Sequence, residues 1–136
     1  MNIEVRYLSK SGNTKKIADA IAGELGVKAR PITQPVPANT DILFLGGAVY
    51  CGGIDGKLKE FINNLGSKAK KVAVFSTAAV IPSAYPQMKK LIEKQKVTVI
   101  EKEFHCRGEF MKIHGGRPNL DDIQRAGRFA REVIEG

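Results

Sequence analysis

Hydroxyl and amide side chains gather in one short turn near the start of the sequence, formed by Ser9, Lys10, Ser11, Gly12, Asn13 and Thr14. An apolar run at residues 3–8 precedes the turn, and a helical pattern at residues 15–25 follows it. The first amides of a helix lack partners within the helix, and the helix dipole places partial positive charge there. Hydroxyl and amide groups add donors, and a glycine lets the backbone approach a ligand closely. The turn is therefore predicted to bind a phosphate group, with an ordinary capped turn as the alternative.

This turn lies within an alternation of apolar, strand-like segments and amphipathic, helix-like segments. Strands are predicted at residues 2–8, 27–30, 41–47, 71–76 and 97–104, and helices at residues 13–25, 55–65, 83–95 and from Asn119 onward. Such an alternation predicts parallel strands joined by right-handed crossovers, with helices on both faces of one α/β sheet. A length of 136 residues suits a single domain that spans residues 1–136.

Composition and charge limit the classes of protein to which this chain can belong. Lysine and arginine total 22 against 14 acidic residues, which gives a net charge of +8. This excess suits acidic redox partners, weak attraction to nucleic acid, or a well-solvated surface. No basic stripe with regularly interleaved aromatic residues appears, so nucleic-acid binding is disfavoured. Two cysteines are too few for a disulfide scaffold. No apolar run reaches transmembrane length and no signal peptide precedes the first strand, so we expect a cytoplasmic protein.

Further candidate residues follow the other predicted strands. Ligands of parallel α/β sheets collect at the carboxyl ends of the strands, near the point where the strand order reverses. The candidates are Ala48, Val49, Tyr50, Cys51, Gly52 and Gly53 after the third strand, Ser76, Thr77 and Ala78 after the fourth, and His105, Cys106, Arg107 and Gly108 after the fifth. We expect loops after the third and fifth strands, the latter a long irregular loop at residues 105–118.

The turn reads Ser-x-Ser-Gly-x-Thr over residues 9–14. It resembles the phosphate loop of the flavodoxin family, which usually reads Thr/Ser-x-Thr-Gly-x-Thr. Residues 46–50 with 56–62, and residues 117–122, are similar to small flavodoxin-domain proteins, including relatives of flavodoxin-like protoporphyrinogen oxidases and FMN-dependent quinone reductases. The resemblance implies FMN as the cofactor. It also implies a flavodoxin-like three-layer sandwich whose five-stranded parallel sheet has the order 2-1-3-4-5.

The same resemblance implies roles for the residues after the third and fourth strands. Tyr50 would stack on the flavin ring, or else remain a partly exposed loop tyrosine. A peptide at Gly52 or Gly53 would turn its carbonyl towards flavin N5, because glycine permits such a reorientation. The small residues at 76–78 would let the flavin edge approach, or else cap the following helix.

The resemblance also implies that the residues after the fifth strand cover part of the flavin. His105 or Arg107 would lie near flavin N1 and stabilise the reduced ring, or else face solvent. A redox pair of Cys51 and Cys106 is disfavoured, because the fourth strand separates their parent strands and free cysteines are common inside proteins.

Two functions remain open after this reasoning. The favoured one is an FMN-binding electron carrier that serves redox partner proteins, with no catalytic residue and no metal ligand assigned. The alternative is an FMN-dependent oxidoreductase acting on a quinone, a porphyrinogen or another small planar substrate, for which Phe110, Met111 and His114 would line the substrate site. A phospho-receiver domain is excluded, because Leu8-Ser9 and Gly46-Gly47 stand where acidic residues are needed.

Overall fold

The computed structural model describes residues 1–49, 53–78, 83–108 and 116–136. Within these residues the chain forms six strands and four helices. They are β1 (Ile3–Tyr7), α1 (Asn13–Leu25), β2 (Ala29–Pro31), β3 (Thr40–Val49), α2 (Gly56–Asn63), β4 (Ala69–Ala78), α3 (Tyr85–Glu93), β5 (Thr98–Val99), β6 (Phe104–Arg107) and α4 (Leu120–Glu135).

The strands form one parallel sheet. Its order is β2-β1-β3-β4-β5, and β6 also pairs with β4, beyond the end of β5. The sheet therefore has five positions in the order 2-1-3-4-5, and the predicted α/β class and strand order are confirmed. The strand order reverses between β1 and β3, so the chain leaves these two neighbouring strands towards opposite faces.

The fifth position differs from the single strand predicted at residues 97–104. Val99 of β5 pairs with Val72 of β4, and Phe104 of β6 pairs with Phe75 of β4. The chain therefore advances five residues from Val99 to Phe104, whereas β4 advances only three residues between their partners. The two extra residues belong to the mostly polar segment that separates β5 from β6. Strand pairing with β4 begins again at Phe104, and the side chains of Phe104 and Cys106 are buried in the core. His105, Cys106 and Arg107 consequently lie in a strand, which corrects the prediction that they begin a loop.

The third and fourth strands are also longer than predicted. Ala48 and Val49 belong to β3, where they pair with Thr77 and Ala78 of β4, so these residues are not in loops. Both strands continue because their side chains here are small or apolar enough to be buried between two helical layers. Gly46 contributes to this packing, since an ideal Cβ at this position would overlap the Phe75 ring.

Helices cover both faces of the sheet. The α1/α4 layer packs on one face around Phe44, Phe75 and Phe129, and the rings of Phe44 and Phe129 meet edge to face at 6.0 Å. The α2/α3 layer packs on the other face, where Leu58 and Met88 are fully buried. Each fully buried large apolar side chain contributes about 1.5–3 kcal/mol relative to exposure, so both layers are held firmly.

The helix ends follow their sequence signals. Gly26 ends α1 in the left-handed conformation, and Asn119 begins α4 with a reciprocal capping box to Asp122. The residues 56–63 of α2 and 85–93 of α3 fall inside the ranges predicted for them. Among the described segments, none of the helices combines the length and apolar character needed to cross a membrane.

Candidate functional site

The turn after β1 lies at the carboxyl edge of the sheet, beside the reversal of strand order. Gly12 has φ 92° and is the N-cap of α1. Its amide donates to Ser9 Oγ at 3.0 Å, and its carbonyl accepts the first helical hydrogen bond from Lys16 at 3.1 Å. A left-handed residue is needed at this point, so glycine suits the turn for a conformational reason as well as for ligand approach.

The N-terminus of α1 differs chemically from those of the other helices. Asp55 accepts from the Lys57 amide at the start of α2, Ser83 Oγ accepts from the Tyr85 amide at the start of α3, and α4 has its capping box. Gly12 offers no side chain to accept from the α1 amides, and the first turn of α1, like those of α2 and α3, contains no acidic residue. This donor set fits an anionic group such as a phosphate.

Residues predicted from three different strand ends meet around the start of α1. Thr14 Oγ1 and Thr77 Oγ1 are 2.9 Å apart, and both residues are buried. Gly108 donates its amide to Ala78 O at 3.3 Å, and an ideal Cβ at Gly108 would lie 2.9 Å from Asn13 Nδ2. The structure thus brings the ends of β4 and β6 against the predicted phosphate turn.

Ser76 lies one residue before this meeting point and faces the opposite layer. Its hydroxyl oxygen accepts from the Ala84 amide at 3.2 Å, which fixes the chain just before α3. Ser76 is fully buried. Of the two possibilities left open by the sequence, capping of the following helix is therefore the contact observed for its side chain.

The segment after β3 is anchored to α3. Gly53 has φ 97°, and an ideal Cβ there would lie 2.7 Å from Gln87 Oε1, which also accepts from the Ile54 amide at 3.1 Å. Tyr50, Cys51 and Gly52 lie outside the described residues, so their proposed contacts with a flavin stay predictions.

Lys10 connects the turn after β1 to the start of α2. Its ammonium group lies 2.8 Å from Asp55 Oδ2, and its side chain is 61% exposed. The Lys10 hydrogen bond, followed by the Lys57 amide, lowers the pKa of the Asp55 carboxyl from its ordinary value. Asp55 was not a predicted site residue, and only its position before a helix signals its capping role.

The side chains of β6 divide between the two faces of the sheet. His105 is exposed, and its Nδ1 lies 2.7 Å from Glu103 Oε1, while Glu103 Oε2 accepts from the Ser83 hydroxyl at 3.3 Å. Arg107 is half-buried beside Ala78. Glu103 and Ser83 thus join His105 to the chain before α3, a connection that the sequence did not reveal.

Cys106 faces the core beneath the α1/α4 layer and is 5% exposed. Burial, with a smaller effect of the Asp122 carboxylate, raises the pKa of its thiol to about 12. The thiol is therefore protonated at neutral pH and is a poor nucleophile. Cys51 is not among the described residues, so the expectation that the two cysteines do not form a redox pair stays a prediction.

A buried carboxylate lies next to Cys106. Arg117 binds Asp122 through two hydrogen bonds of 2.6 and 2.9 Å, and Arg125 adds a third of 2.8 Å. Burial raises the pKa of the Asp122 carboxyl, but these donors and the Asn119 amide more than offset that effect, and the pKa is lowered. Asp122 was not among the predicted site residues.

Comparison with known proteins supports one family. The family model described as a flavodoxin domain matches residues 5–111. An uncharacterized protein of Methanocaldococcus jannaschii is 30% identical over 141 residues, covering 90% of this chain and 91% of that protein. A flavodoxin from the domain Archaea superposes with a TM-score of 0.83 at 19% identity, covering 99% of this chain and 97% of that chain. Megasphaera elsdenii flavodoxin gives a TM-score of 0.68 at 21% identity, covering 96% and 98%.

Proposed function

This chain belongs to the flavodoxin domain family, and from that premise we propose that it binds FMN and carries electrons between redox partner proteins. The observation that carries the proposal is the N-terminus of α1, which Gly12 caps without any side-chain acceptor at the edge where the strand order reverses. When bound, FMN supplies the redox chemistry through its isoalloxazine ring, while the protein holds and shields it.

The phosphate of FMN is assigned to residues 9–14. Ser9 Oγ accepts from the Gly12 amide, which leaves its own hydroxyl hydrogen available to a ligand. Thr14 and Thr77 share one hydrogen bond, so only one of their two hydroxyl hydrogens is used between them. Lys10 is held by Asp55, and in this assignment its charge supports the site from the side.

The flavin ring is assigned to the neighbouring strand ends. Val49 and Ala78 are paired residues at the ends of β3 and β4, and both carry compact apolar side chains. In the proposal, Ala48 to Gly53 lie along one side of the ring with Tyr50 stacked on it, and residues 76–78 lie along its edge. Residues 105–108 are proposed to cover part of the flavin, with His105 or Arg107 near flavin N1. Cys106 would contribute through its backbone, because its side chain faces the core.

Visible absorption spectroscopy tests the proposal directly. Purified protein, stripped of any flavin, is titrated with FMN, and we expect the absorption bands to shift and FMN fluorescence to be quenched at one equivalent. Riboflavin, which lacks the phosphate, is the matched control and should bind far more weakly if residues 9–14 hold the phosphate. Absence of any FMN binding would overturn the proposed function while leaving the fold intact.

The enzymatic alternative is tested with the same holoprotein. It requires a substrate site built from the predicted loop at residues 105–118, but β6 contains the first three of these residues and 109–115 lie outside the described residues. We expect NAD(P)H and a quinone to show no rapid turnover with the holoprotein alone. Fast steady-state turnover without a partner protein would favour a reductase over an electron carrier.

The proposal includes a cytoplasmic location. It is supported by the low cysteine content of the sequence and by the buried, free thiol of Cys106, both typical of proteins in reducing compartments. Fractionation of the native host, with the protein detected by antibody, would test this location.

A further inference from the structure

Positive charge is distributed unequally between the two helical layers. We define the α2/α3 layer as residues 56–68 and 83–96, which contain seven lysines and two glutamates. The helices of the α1/α4 layer, residues 13–25 and 120–135, contain five basic and six acidic residues. The α2/α3 layer with its flanking residues therefore carries a net charge of +5, whereas the helices of the α1/α4 layer carry −1.

Ion pairing strengthens this asymmetry. On the α1/α4 layer, Lys15 pairs with Asp19 at 2.9 Å and Arg131 pairs with Glu24 at 2.7 Å. Arg125 pairs with both Asp121 and Asp122 on the same layer. In the part of the chain that the structure describes, no lysine of the α2/α3 layer lies within 4.0 Å of a carboxylate. These lysines are the source of a strong positive potential.

An aromatic residue lies within this positive surface. Tyr85 is half-buried at the start of α3, and Lys89 Nζ lies 5.8 Å from the centre of its ring. An open depression of about 600 Å³ is lined by Tyr85, Pro86, Lys89, Lys90, Glu93 and Lys94. An apolar centre with a charged rim is the usual composition of a protein–protein interface.

The same helix is directly connected to the proposed flavin site. Gln87, in the first turn of α3, holds the segment after β3 through Ile54. The chain just before α3 is held by Ser76, at the end of β4. A protein docked on the first turn of α3 would therefore lie beside both loops that are assigned to the flavin ring.

From these observations we propose that the α2/α3 layer is the docking surface for an acidic redox protein, which exchanges single electrons with FMN. This inference rests on the proposed function. All seven basic residues of the layer are lysines, which are flexible point charges able to pair with carboxylates. The layer contains no arginine, the residue that most often stacks on bases and reads their edges, so an acidic protein is favoured over a nucleic acid as the occupant.

Stopped-flow electron transfer provides the test. The probe is a reduced plant-type [2Fe–2S] ferredoxin as an acidic carrier, which loses one electron from its cluster as the FMN of the holoprotein gains one. Raising the salt concentration from about 0.01 to about 0.1 M shortens the Debye length from about 30 to about 10 Å, so the second-order rate constant should fall. A rate constant that is insensitive to salt would overturn the proposal.

Two double variants locate the effect. Lys89→Gln with Lys90→Gln removes two charges from α3, and Arg128→Gln with Arg131→Gln removes two from the exposed side of α4 as the matched control. The first variant should slow electron transfer at low salt by about 3- to 10-fold, and the second should leave it within about 2-fold of the parent. Equal slowing in both variants would show a net-charge effect without a docking surface.

Binding measurements distinguish an acidic protein from a nucleic acid as the partner of this surface. Fluorescently labelled poly-L-glutamate should bind the parent protein and lose affinity in the Lys89/Lys90 variant but not in the α4 control. Tighter binding of double-stranded DNA than of poly-L-glutamate at equal probe charge would identify a nucleic-acid surface and overturn the proposal. Both probes can be applied without flavin, so a failure of FMN binding remains distinguishable from a failure of docking.

Discussion

The hydroxyl oxygens of Thr14 and Thr77 lie 2.9 Å apart between the first turn of α1 and the carboxyl end of β4. Thr14 is 1% exposed and Thr77 is 2% exposed, so water does not compete for this hydrogen bond. The bond fixes the proposed phosphate turn to a strand assigned to the flavin ring. The two parts of the site are therefore positioned relative to each other before any ligand binds.

Removal of one of these hydroxyls should destabilise the protein. Thr77→Val keeps the shape of the side chain but leaves Thr14 without its partner, which costs about 1–3 kcal/mol of unfolding free energy. The double variant with Thr14→Val should recover part of this loss, because no buried hydroxyl is left unpaired. Urea unfolding of the flavin-free protein measures both effects. A loss of unfolding free energy in the double variant equal to the sum of the losses in the two single variants would contradict the pairing of Thr14 with Thr77.

Substitutions at Gly12 test whether the turn at residues 9–14 binds the negatively charged phosphate. Gly12→Asp and Gly12→Asn introduce side chains of equal size, and both residues tolerate a positive φ better than other side chains do. No atom lies within 4 Å of an ideal Cβ there, so both variants should fold. The aspartate should weaken FMN by about 2–4 kcal/mol more than the asparagine, because its charge repels the phosphate. Equal FMN affinities of the two variants in a fluorescence titration would contradict the assignment of the phosphate to this turn.

Two adjacent aspartates of α4 differ sharply in environment. The Asp122 side chain is 1% exposed and the Asp121 side chain is 75% exposed. Asp122→Asn should reduce the unfolding free energy at neutral pH by about 2–4 kcal/mol, because Arg117 loses its charged partner and Arg125 loses one of its two. Asp121→Asn should change it by about 0.5 kcal/mol or less.

The pH dependence of this effect has a defined sign. The pKa of Asp122 is lowered in the folded state, so its stabilisation is complete above about pH 4 and is lost as the pH falls further. The stability difference between the parent protein and Asp122→Asn should therefore shrink in acid. A difference that is constant from neutral pH down to acid would argue against an ionised Asp122.

Cys106 should resist thiol reagents in the folded protein. A thiol with a pKa of about 12 has little thiolate at pH 8, and burial adds a barrier to access. In a Cys51→Ser background, alkylation by iodoacetamide should be at least about 100-fold slower in the folded than in the unfolded protein. Because the pKa is raised on folding, stability should decline as the pH rises from 9 towards 12. Rapid alkylation at pH 8 would contradict the buried position.

The sequence was sufficient for those features that depend on local signals. The turn at residues 9–14, the end of the first helix at residue 25 and the start of the last helix at Asn119 each follow from neighbouring residues, and all three lie where they were predicted. The alternation of segments gave the fold class for the same reason. These features require no knowledge of which strand lies beside which.

Features that depend on neighbouring strands could not be predicted. Val49 continues β3 because Ala78 lies beside it, and Cys106 is part of β6 because Thr77 supplies its partner. The bond between Thr14 and Thr77 joins residues 63 positions apart, so no local pattern contains it. Contacts of this kind depend on the register of the whole sheet.

The interruption between β5 and β6 has a consequence for changes of chain length. Side chains of a strand alternate between faces, so an even number of added residues leaves every later residue on its original side. Deletion or insertion of residues in pairs between Val99 and Phe104 should therefore preserve the core contacts of Phe104 and Cys106. A single-residue change would exchange them with His105 and Arg107. This short segment is thus a natural place for evolution or engineering to lengthen the molecule, provided that it does so two residues at a time.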